Sequence, residues 1–551
     1  MPADWATLKT KRALKDPLVA TPEPSTAVAY SHPDLSPSLQ VRTLPGRGRG
    51  IVAQAHLKPG QTLVATAPLV STLDNLSLPS RCSHCYRSPD DLDRGSSSSK
   101  QLLQCSLCHV VQYCSPACQK HDWPVHKREC AALRRAVKAS GKKRSVPDTP
   151  VRALARLLWT REVKGEDLWK QVESLESHRA RLSPEEQERF FHLSLALAQY
   201  VGQDTLKQAC PDAGAVMDLC SRFASNSFSL TAPTDLSNLG VSISPLTALF
   251  NHSCAPNAVV VFPSFPSPSS PRHMHVVAIR AIEPGQEVLT SYVDLALPRE
   301  ARRRELRERY KFGCPRAEDG CEGLIPLPDR DSTVTSVTCP ACKSSAPYKS
   351  VHDALDAAKL AFADAEKAQY TEPHVASLHL QHLLTSLLSP LSSTPSLAPS
   401  AHPVLPALQL LLTLQLHAQA FPAALSTALR ASDGARRIYG EGHPVRALLR
   451  TTTARLRTMP PPLDAAHPEA EERYWGNVAA REEARGELVG ALREVDVAFG
   501  DRTATGVGVK GGEMARALRD LVADQEQGIV VARRMRAAAL QERRERRAVK
   551  G

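Results

Sequence analysis

The chain has 551 residues, with 69 Lys plus Arg against 57 Asp plus Glu, a formal charge of +12, and 14 Cys. At 42% hydrophobic and 23% charged residues it is not a disordered chain, and its length suits roughly three or four domains. Aromatics at 5%, with 43 Pro against 27 Gly, point to helices joined by Pro-containing connections and away from an aromatic-rich β protein.

The first residues, 1–38, read as a loose arm with no sustained periodicity; Met1–Asp16 lacks the apolar stretch of a signal peptide. From Leu39 to Leu73 short apolar runs, Gly50–Ala55 and Leu63–Leu73, flank the turn signal Lys58-Pro59-Gly60 and predict strands. The most apolar stretch further on, Val404–Leu416, is broken by Pro406, Gln409 and Gln415, which disfavours a membrane span. A reducing, intracellular setting is expected, where the cysteines serve as metal ligands and buried thiols rather than disulfides.

A Cys/His-rich block follows at Cys82–Cys130. Its donors fall in four pairs: Cys82-x2-Cys85, Cys105-x2-Cys108, Cys114-x3-Cys118 and His126-x3-Cys130. Eight thiolate or imidazole donors suffice for two tetrahedral Zn²⁺ ions, and the short spacings let two donors of one turn face the same ion. So small a segment has little apolar core, so metal binding would supply most of its folding free energy. The pattern resembles the MYND zinc finger. That resemblance implies that Cys82, Cys85, Cys114 and Cys118 hold one Zn²⁺ and Cys105, Cys108, His126 and Cys130 the other, with His84, His109 and His121 as spare candidates. The gap Tyr86–Gln104, with Gly95-Ser96-Ser97-Ser98-Ser99, is longer than usual for the family and reads as a surface insertion. The resemblance also implies Pro-rich peptide partners; Lys120, Lys127 and Arg128 form a basic face that suits solvent or nucleic acid equally.

Past a basic linker at Arg134–Arg144, Ser183-Pro184-Glu185-Glu186 is a helix start: an N-cap Ser, Pro in the first turn and Glu at the third position. Phe190, Phe191, Leu193, Leu195 and Leu197 then predict a buried helix. Strand-like runs return at Ala258–Phe262, Met274–Ile282 and Glu287–Tyr292, with a Pro/Ser loop at Pro263–Arg272 between the first two.

Three segments carry the chemistry. Arg47-Gly48-Arg49-Gly50-Ile51 precedes a strand, and its glycines permit close backbone approach to a ligand; its spacing is not that of a phosphate-binding G-x-G-x-x-G. Asn251-His252-Ser253-Cys254-Ala255-Pro256-Asn257 sets polar residues between an apolar helix, Leu246–Phe250, and an apolar strand, so its buried polar groups need partners. Gly285-Gln286-Glu287-Val288-Leu289-Thr290-Ser291-Tyr292 is a strand ending in Tyr. In this order the segments resemble the SET domain of protein lysine methyltransferases, and with the finger inserted they resemble the SET-and-MYND (SMYD) family over about Val41–Cys342. Leu175-Glu176-Ser177-His178, Asn226-x-Phe228 and Tyr310-x-Phe312 match further family positions.

The resemblance implies an α+β fold: a β-rich SET domain with an inserted MYND finger and helical insert, then an α-helical TPR-like C-terminal domain. The boundaries it suggests are the arm 1–38, SET N-terminal part 39–81, finger 82–130, linker and insert 131–240, SET core 241–293, post-SET zinc region 294–349 and helical domain 350–551. It implies S-adenosylmethionine bound by Arg47, Gly48, Arg49, His178, Asn226, Asn251, His252, Tyr292 and Phe312, with Tyr292 and Tyr310 flanking the channel of a target lysine on a protein substrate. Many relatives carry Asn where Arg49 stands. A monomer in the nucleus or cytoplasm is expected; the competing expectation is a MYND adaptor whose SET domain is weak or inactive.

The family's compact Cys-x-Cys-x2-Cys after Tyr-x-Phe is absent. Cys314, Cys321, Cys339 and Cys342 suffice for a third Zn²⁺ by themselves; alternatively Cys254 joins Cys314, Cys321 and one later Cys. The first reading is favoured. Beyond Ser350, apolar residues at helical spacing (Val351, Leu355, Leu360, Phe362) predict an almost wholly helical tail, interrupted by Ser389–Pro403. Tyr439-Gly440-Glu441-Gly442-His443-Pro444 looks like the family's helix-to-helix turn, with His443 a turn residue, and no strict 34-residue repeat is visible. The chain ends in an Arg-rich helix, Arg533–Lys550, suited to solvent, nucleic acid or a localisation signal.

Overall fold

A computed structural model describes residues 32–93, 101–140, 146–265, 274–313, 335–338, 345–388, 397–459, 477–501 and 510–550. Most of the predicted arm, the Ser-rich insertion at 95–99, Lys142–Arg144, most of Pro263–Arg272, the second cysteine cluster and much of Ser389–Pro403 lie outside the described residues.

The N-terminal part is built on small antiparallel sheets. Strands β1 (Leu39–Leu44) and β2 (Gly48–Ala53) form a hairpin, with Leu44 opposite Gly48. Gly46 and Gly48 close it with φ of 67° and 68°, a conformation a Cβ disfavours. Strand β3 (Thr62–Thr66) opens a second sheet, and β4 (Val70–Leu73) belongs to a third. Strands β5 (Leu103–Gln104) and β6 (Gln112–Tyr113) pair inside the cysteine block. Strands β7 (Ser227–Thr231) and β8 (Asn238–Ile243) complete the order β4-β8-β7, while β9 (Ala258–Val261) and β10 (Met274–Ala278) complete β3-β10-β9.

Every residue of β10 is buried, as its unbroken apolar run requires. The reason lies on its two faces. Val276 and Ala278 pack with Ile51, Leu57 and Phe250. Val277 and Ile279 pack with Leu488, Val495, Phe499 and Leu518 of the C-terminal helices. The helical tail is therefore fused to the sheet through a shared core. Helices Tyr348–Ala368, Pro373–Leu388, Val404–His417, Phe421–Ile438, Pro444–Arg457, Val478–Phe499 and Gly512–Lys550 make it almost wholly helical among the described residues. His443 caps its helix, accepting from the Val445 N–H at 3.3 Å.

The finger is joined to the insert in the same way. Its cysteines share a core with Leu154, Leu158 and Trp159 of helix Thr149–Lys164 and with Phe190 and Leu197 of helix Pro184–Val201. The capping box predicted at Ser183 is present: Ser183 Oγ accepts from Glu186 N at 3.3 Å, and Ser183 N donates to Glu186 Oε2 at 2.7 Å.

Three local expectations need correction. Helix Pro184–Val201 is buried on one face only: Phe190 and Leu197 are inside with Ser194 and Tyr200, while Phe191, Leu193 and Leu195 are half-buried. Leu246–Phe250 is too short for an α-helix and forms a single 3₁₀ turn, Thr247–Leu249. Glu287–Tyr292 is extended but makes isolated bridges, Glu287 to Val52 and Thr290 to His252, because it is straddled by two segments rather than laid along one strand.

The glycine that allows close approach is Gly50, and what approaches is protein. A Cβ there would lie 2.6 Å from Leu44 Cδ1 and 2.8 Å from both Asn251 Nδ2 and Glu287 Oε1, whereas Gly48 has nothing within 4 Å. Gly50→Ala is expected to force Asn251 and Glu287 apart and destabilise the fold by about 1–3 kcal/mol, the usual cost of overpacking. A urea midpoint equal to that of the unsubstituted chain would show that the pair can step aside.

Candidate functional site

Within the finger, the structure gathers two groups whose ligand atoms lie within 4.8 Å of one another: Cys82, Cys85, Cys114 and Cys118, and Cys105, Cys108, His126 and Cys130. The Cys85–Cys114 and Cys114–Cys118 sulfurs are 3.5 Å apart, the Cys105–Cys130 sulfurs 4.0 Å, and Cys108 Sγ is 3.8 Å from His126 Nε2. A tetrahedron with ~2.3 Å Zn–S bonds has edges of about 3.8 Å, so both groups have the dimensions of a zinc site. Helix Pro116–Ser140 supplies Cys118, His126 and Cys130. His84 and His121 instead stack on each other with ring centres 5.5 Å apart.

Charges that no local sequence pattern announces lie beneath the second group. His126 Nδ1 lies 3.3 Å from Glu129 Oε2, which fixes Nε2 as the atom facing the cluster. Glu129 is fully buried. Arg152 donates to its Oε1 at 3.1 Å and Arg156 to its Oε2 at 2.5 Å. Burial disfavours the Glu129 anion, but Arg156 and Arg152 outweigh it and hold the carboxyl well below its usual range. Arg156 also pairs with Asp122, which accepts from the Tyr113 hydroxyl at 2.8 Å. Arg152 reaches the Leu73 carbonyl of β4 at 3.0 Å, tying finger to sheet.

A cleft of about 990 Å³ opens between the β1–β2 turn, the helical insert and the tail. Every residue predicted for cofactor contact or catalysis lines it: Arg47, Gly48, Arg49, His178, Asn226, Asn251, His252, Tyr292, Tyr310 and Phe312. His443, Pro444 and Val445 of the tail line it as well. Cys314, Cys321, Cys339 and Cys342 lie outside the described residues.

One side of the cleft is polar, with its donors already committed. Asn251 Nδ2 donates to the Arg49 carbonyl at 3.1 Å and to Glu287 Oε1 at 2.8 Å. Asn226 Nδ2 donates to the Glu176 and Arg222 carbonyls at 3.0 and 2.8 Å. Each amide nitrogen has spent both hydrogens, so each Asn offers its Oδ1 as an acceptor. Glu287, half of whose work is to orient Asn251, also pairs with Arg47 at 2.8 Å, and Arg47 donates to the His252 carbonyl at 3.1 Å. The Arg49 side chain crosses to the Ser174 carbonyl of the insert. His178 is buried; burial lowers its pKa, with Glu176 opposing that shift.

The other side is aromatic. Tyr292 and Tyr310 rings are 4.8 Å apart, Phe312 lies 6.2 Å from Tyr292, and His252 lies 5.4 Å from Tyr292 and 5.9 Å from Phe312. The Tyr292 hydroxyl donates to the Phe250 carbonyl at 2.8 Å, and the Tyr292 N–H donates to His252 Nδ1 at 2.9 Å. His252 Nε2 therefore carries the proton, directed at Cys254 Sγ 3.3 Å away. Burial raises the pKa of both tyrosines, so their hydroxyls stay protonated. Behind them, Leu295, Leu306 and Tyr310 share a core with Leu408, Leu411 and Tyr439 of the tail. Asp294 accepts from the Tyr439 hydroxyl at 3.1 Å.

Comparison with known proteins adds to this geometry. Residues 82–130 match the MYND finger family. The chain is 32% identical over 279 residues to histone-lysine N-methyltransferase SMYD3 of Mus musculus, covering 49% of this chain and 59% of that protein. It is 32% identical over 274 residues to N-lysine methyltransferase SMYD2 of Gallus gallus, 49% of this chain and 57% of that protein. With histone-lysine N-methyltransferase ASHR1 of Arabidopsis thaliana it shares 30% over 285 residues, 50% of this chain and 54% of that protein. The chain thus matches between 54% and 59% of these relatives' lengths. No helix among the described residues is long and apolar enough to cross a membrane.

Proposed function

We propose that the chain belongs to the SET-and-MYND (SMYD) family and is an S-adenosylmethionine-dependent protein-lysine N-methyltransferase, acting on histone proteins, non-histone proteins or both. The observation that carries this reading is the convergence of six separated segments on one cleft, polar on one side and aromatic on the other. Its volume, near the upper end for ligand pockets, leaves room for a cofactor and a lysine side chain. On this reading the sheets form a SET domain, the tail a TPR-like domain, and the boundaries are 39–81, 82–130, 131–240, 241–293, 294–349 and 350–551.

The residues fit the cofactor's groups. The free Oδ1 atoms of Asn251 and Asn226 suit an α-ammonium, Arg47 and Arg49 suit a carboxylate, and Phe312 offers a face to adenine. Gly48, His178 and His252 close the pocket around them. S-adenosylmethionine supplies, when bound, an electrophilic methyl on a sulfonium. The chain's own groups do the remainder. Tyr292, Tyr310 and Phe312 exclude water from the lysine channel, which lowers the amine's pKa and favours its neutral, nucleophilic form. With its proton given to Phe250, the Tyr292 oxygen keeps lone pairs to accept an amine N–H and align the nitrogen for in-line attack. Zn²⁺ in the finger is structural, and the finger suits Pro-rich peptide partners.

Transfer of labelled methyl groups to lysate proteins, with cofactor binding followed by calorimetry, tests the proposal. Binding without transfer would favour the adaptor reading; no binding would remove the enzyme. Within it, Glu287→Ala is expected to weaken S-adenosylhomocysteine binding about tenfold, one hydrogen bond's worth of Asn251 positioning. Glu287→Gln, which keeps the acceptor, should lose less; equal losses would point to Arg47 instead.

A further inference from the structure

The helix Gly512–Lys550 has 39 residues, about 58 Å at 1.5 Å per residue. Its first part is ordinary: Met514, Ala515 and Leu518 share a core with helix Val478–Phe499 and with β9 and β10, and Ile529 is also buried. Ala532 is the last buried side chain. From Arg533 to Arg546 every described side chain is exposed, so about 21 Å of helix projects from the fold. Among the described side chains of this stretch only Arg533 is tied back, to Glu482 at 2.5 Å.

That projection carries a large share of the chain's charge. Residues 533–550 hold seven Arg and one Lys against two Glu, a net +6 out of the +12 of the whole chain. Among the described side chains, the cations Arg533, Arg534, Arg536, Arg544 and Arg546 are all exposed. The cations are nearly all arginine, whose planar fork suits phosphate oxygens. Glu542 pairs with Arg546 and Gln541 with Glu545 one turn on, which supports a helix that has no packing to hold it.

We propose that this projecting helix is a docking arm for duplex nucleic acid, held through the phosphate backbone without regard to base sequence. Charge complementarity picks the occupant: a duplex presents one negative charge per about 1.7 Å of its axis, a ladder long enough to meet the whole arm. An apolar groove on a protein partner is the poorer fit, because the arm's exposed Met535 and Leu540 stand about 140° apart around the helix rather than in one stripe. None of the arm's residues lines the cleft, so its role stands or falls separately from catalysis.

The test is fluorescence anisotropy of a labelled 24-base-pair mixed-sequence DNA with the full chain between 50 and 200 mM salt. About six phosphate contacts predict a log–log salt slope near −5. The combined variant Arg533→Gln, Arg536→Gln, Arg544→Gln and Arg546→Gln, all exposed positions, is expected to bind at least tenfold more weakly at 100 mM salt and to lose about three to four units of slope. A chain ending at Ala532 should behave alike, with unchanged cofactor affinity. Equal binding by full chain and both variants would overturn the arm and move the site to the finger. Displacement of the duplex by polyglutamate as readily as by unlabelled duplex would assign it to an acidic protein. Absence of duplex binding at 50 mM salt would end the proposal.

Discussion

Tyr292→Phe is expected to lower kcat by about 10²–10³ while leaving cofactor affinity within twofold. The magnitude is that of removing one preorganised polar group from a water-excluded site. The hydroxyl is preorganised because the Phe250 carbonyl takes its proton and the Tyr310, Phe312 and His252 rings fix its plane. The substitution leaves that packing, and the backbone N–H bond to His252, in place. The loss should therefore fall on kcat and kcat/KM alike, the signature of an interaction made in the transition state. Burial raises the Tyr292 pKa above its ordinary value near 10, so the hydroxyl does not titrate across the working range. A rate that climbs with pH then reports deprotonation of the substrate lysine, and the climb should persist in the variant at its lower plateau. A kcat within threefold of the unsubstituted chain would remove Tyr292 from the chemistry.

Tyr292 and Asn251 are legible because their segments carry polar or aromatic residues where apolar ones would pack, whereas Asn226 is marked only by the family resemblance. Their partners are not. Glu287 sat in view in the same strand-like run as Tyr292, yet nothing local says that its carboxylate reaches both Asn251 and Arg47, 36 and 240 positions away. The finger shows the same divide. Paired spacing announces eight ligands, whereas the Arg152 and Arg156 that neutralise Glu129 arrive from a helix beyond the linker, in a segment that reads only as helical. The short apolar run Leu246–Phe250 misled for a different reason. Leu246–Phe250 and the two-sided burial of β10 are set by what packs on them, and the tail helices that cover β10 come some 200 residues later.

Those unannounced charges give the second large effect. Glu129→Ala is expected to destabilise the chain by about 3–5 kcal/mol, the cost of breaking a buried ion pair by removing one partner. Arg152 is 2% exposed and would keep only the Leu73 carbonyl and Asn75 as partners; Arg156 would keep Asp122. Arg152 would then be buried without a carboxylate, and only Arg156 would keep one. His126 would lose the acceptor that orients its ring, so zinc affinity at Cys105, Cys108, His126 and Cys130 should fall about 10–100-fold, while the other group, which does not touch Glu129, keeps its ion. Glu129→Gln retains an acceptor for one Arg and should cost less than Ala. Zinc content after dialysis against a chelator separates the finger's two ions: Glu129→Ala should retain one fewer per chain than the unsubstituted protein. Retention of both, with a urea midpoint unchanged, would mean that water reaches the two arginines and that the finger does not rest on Glu129.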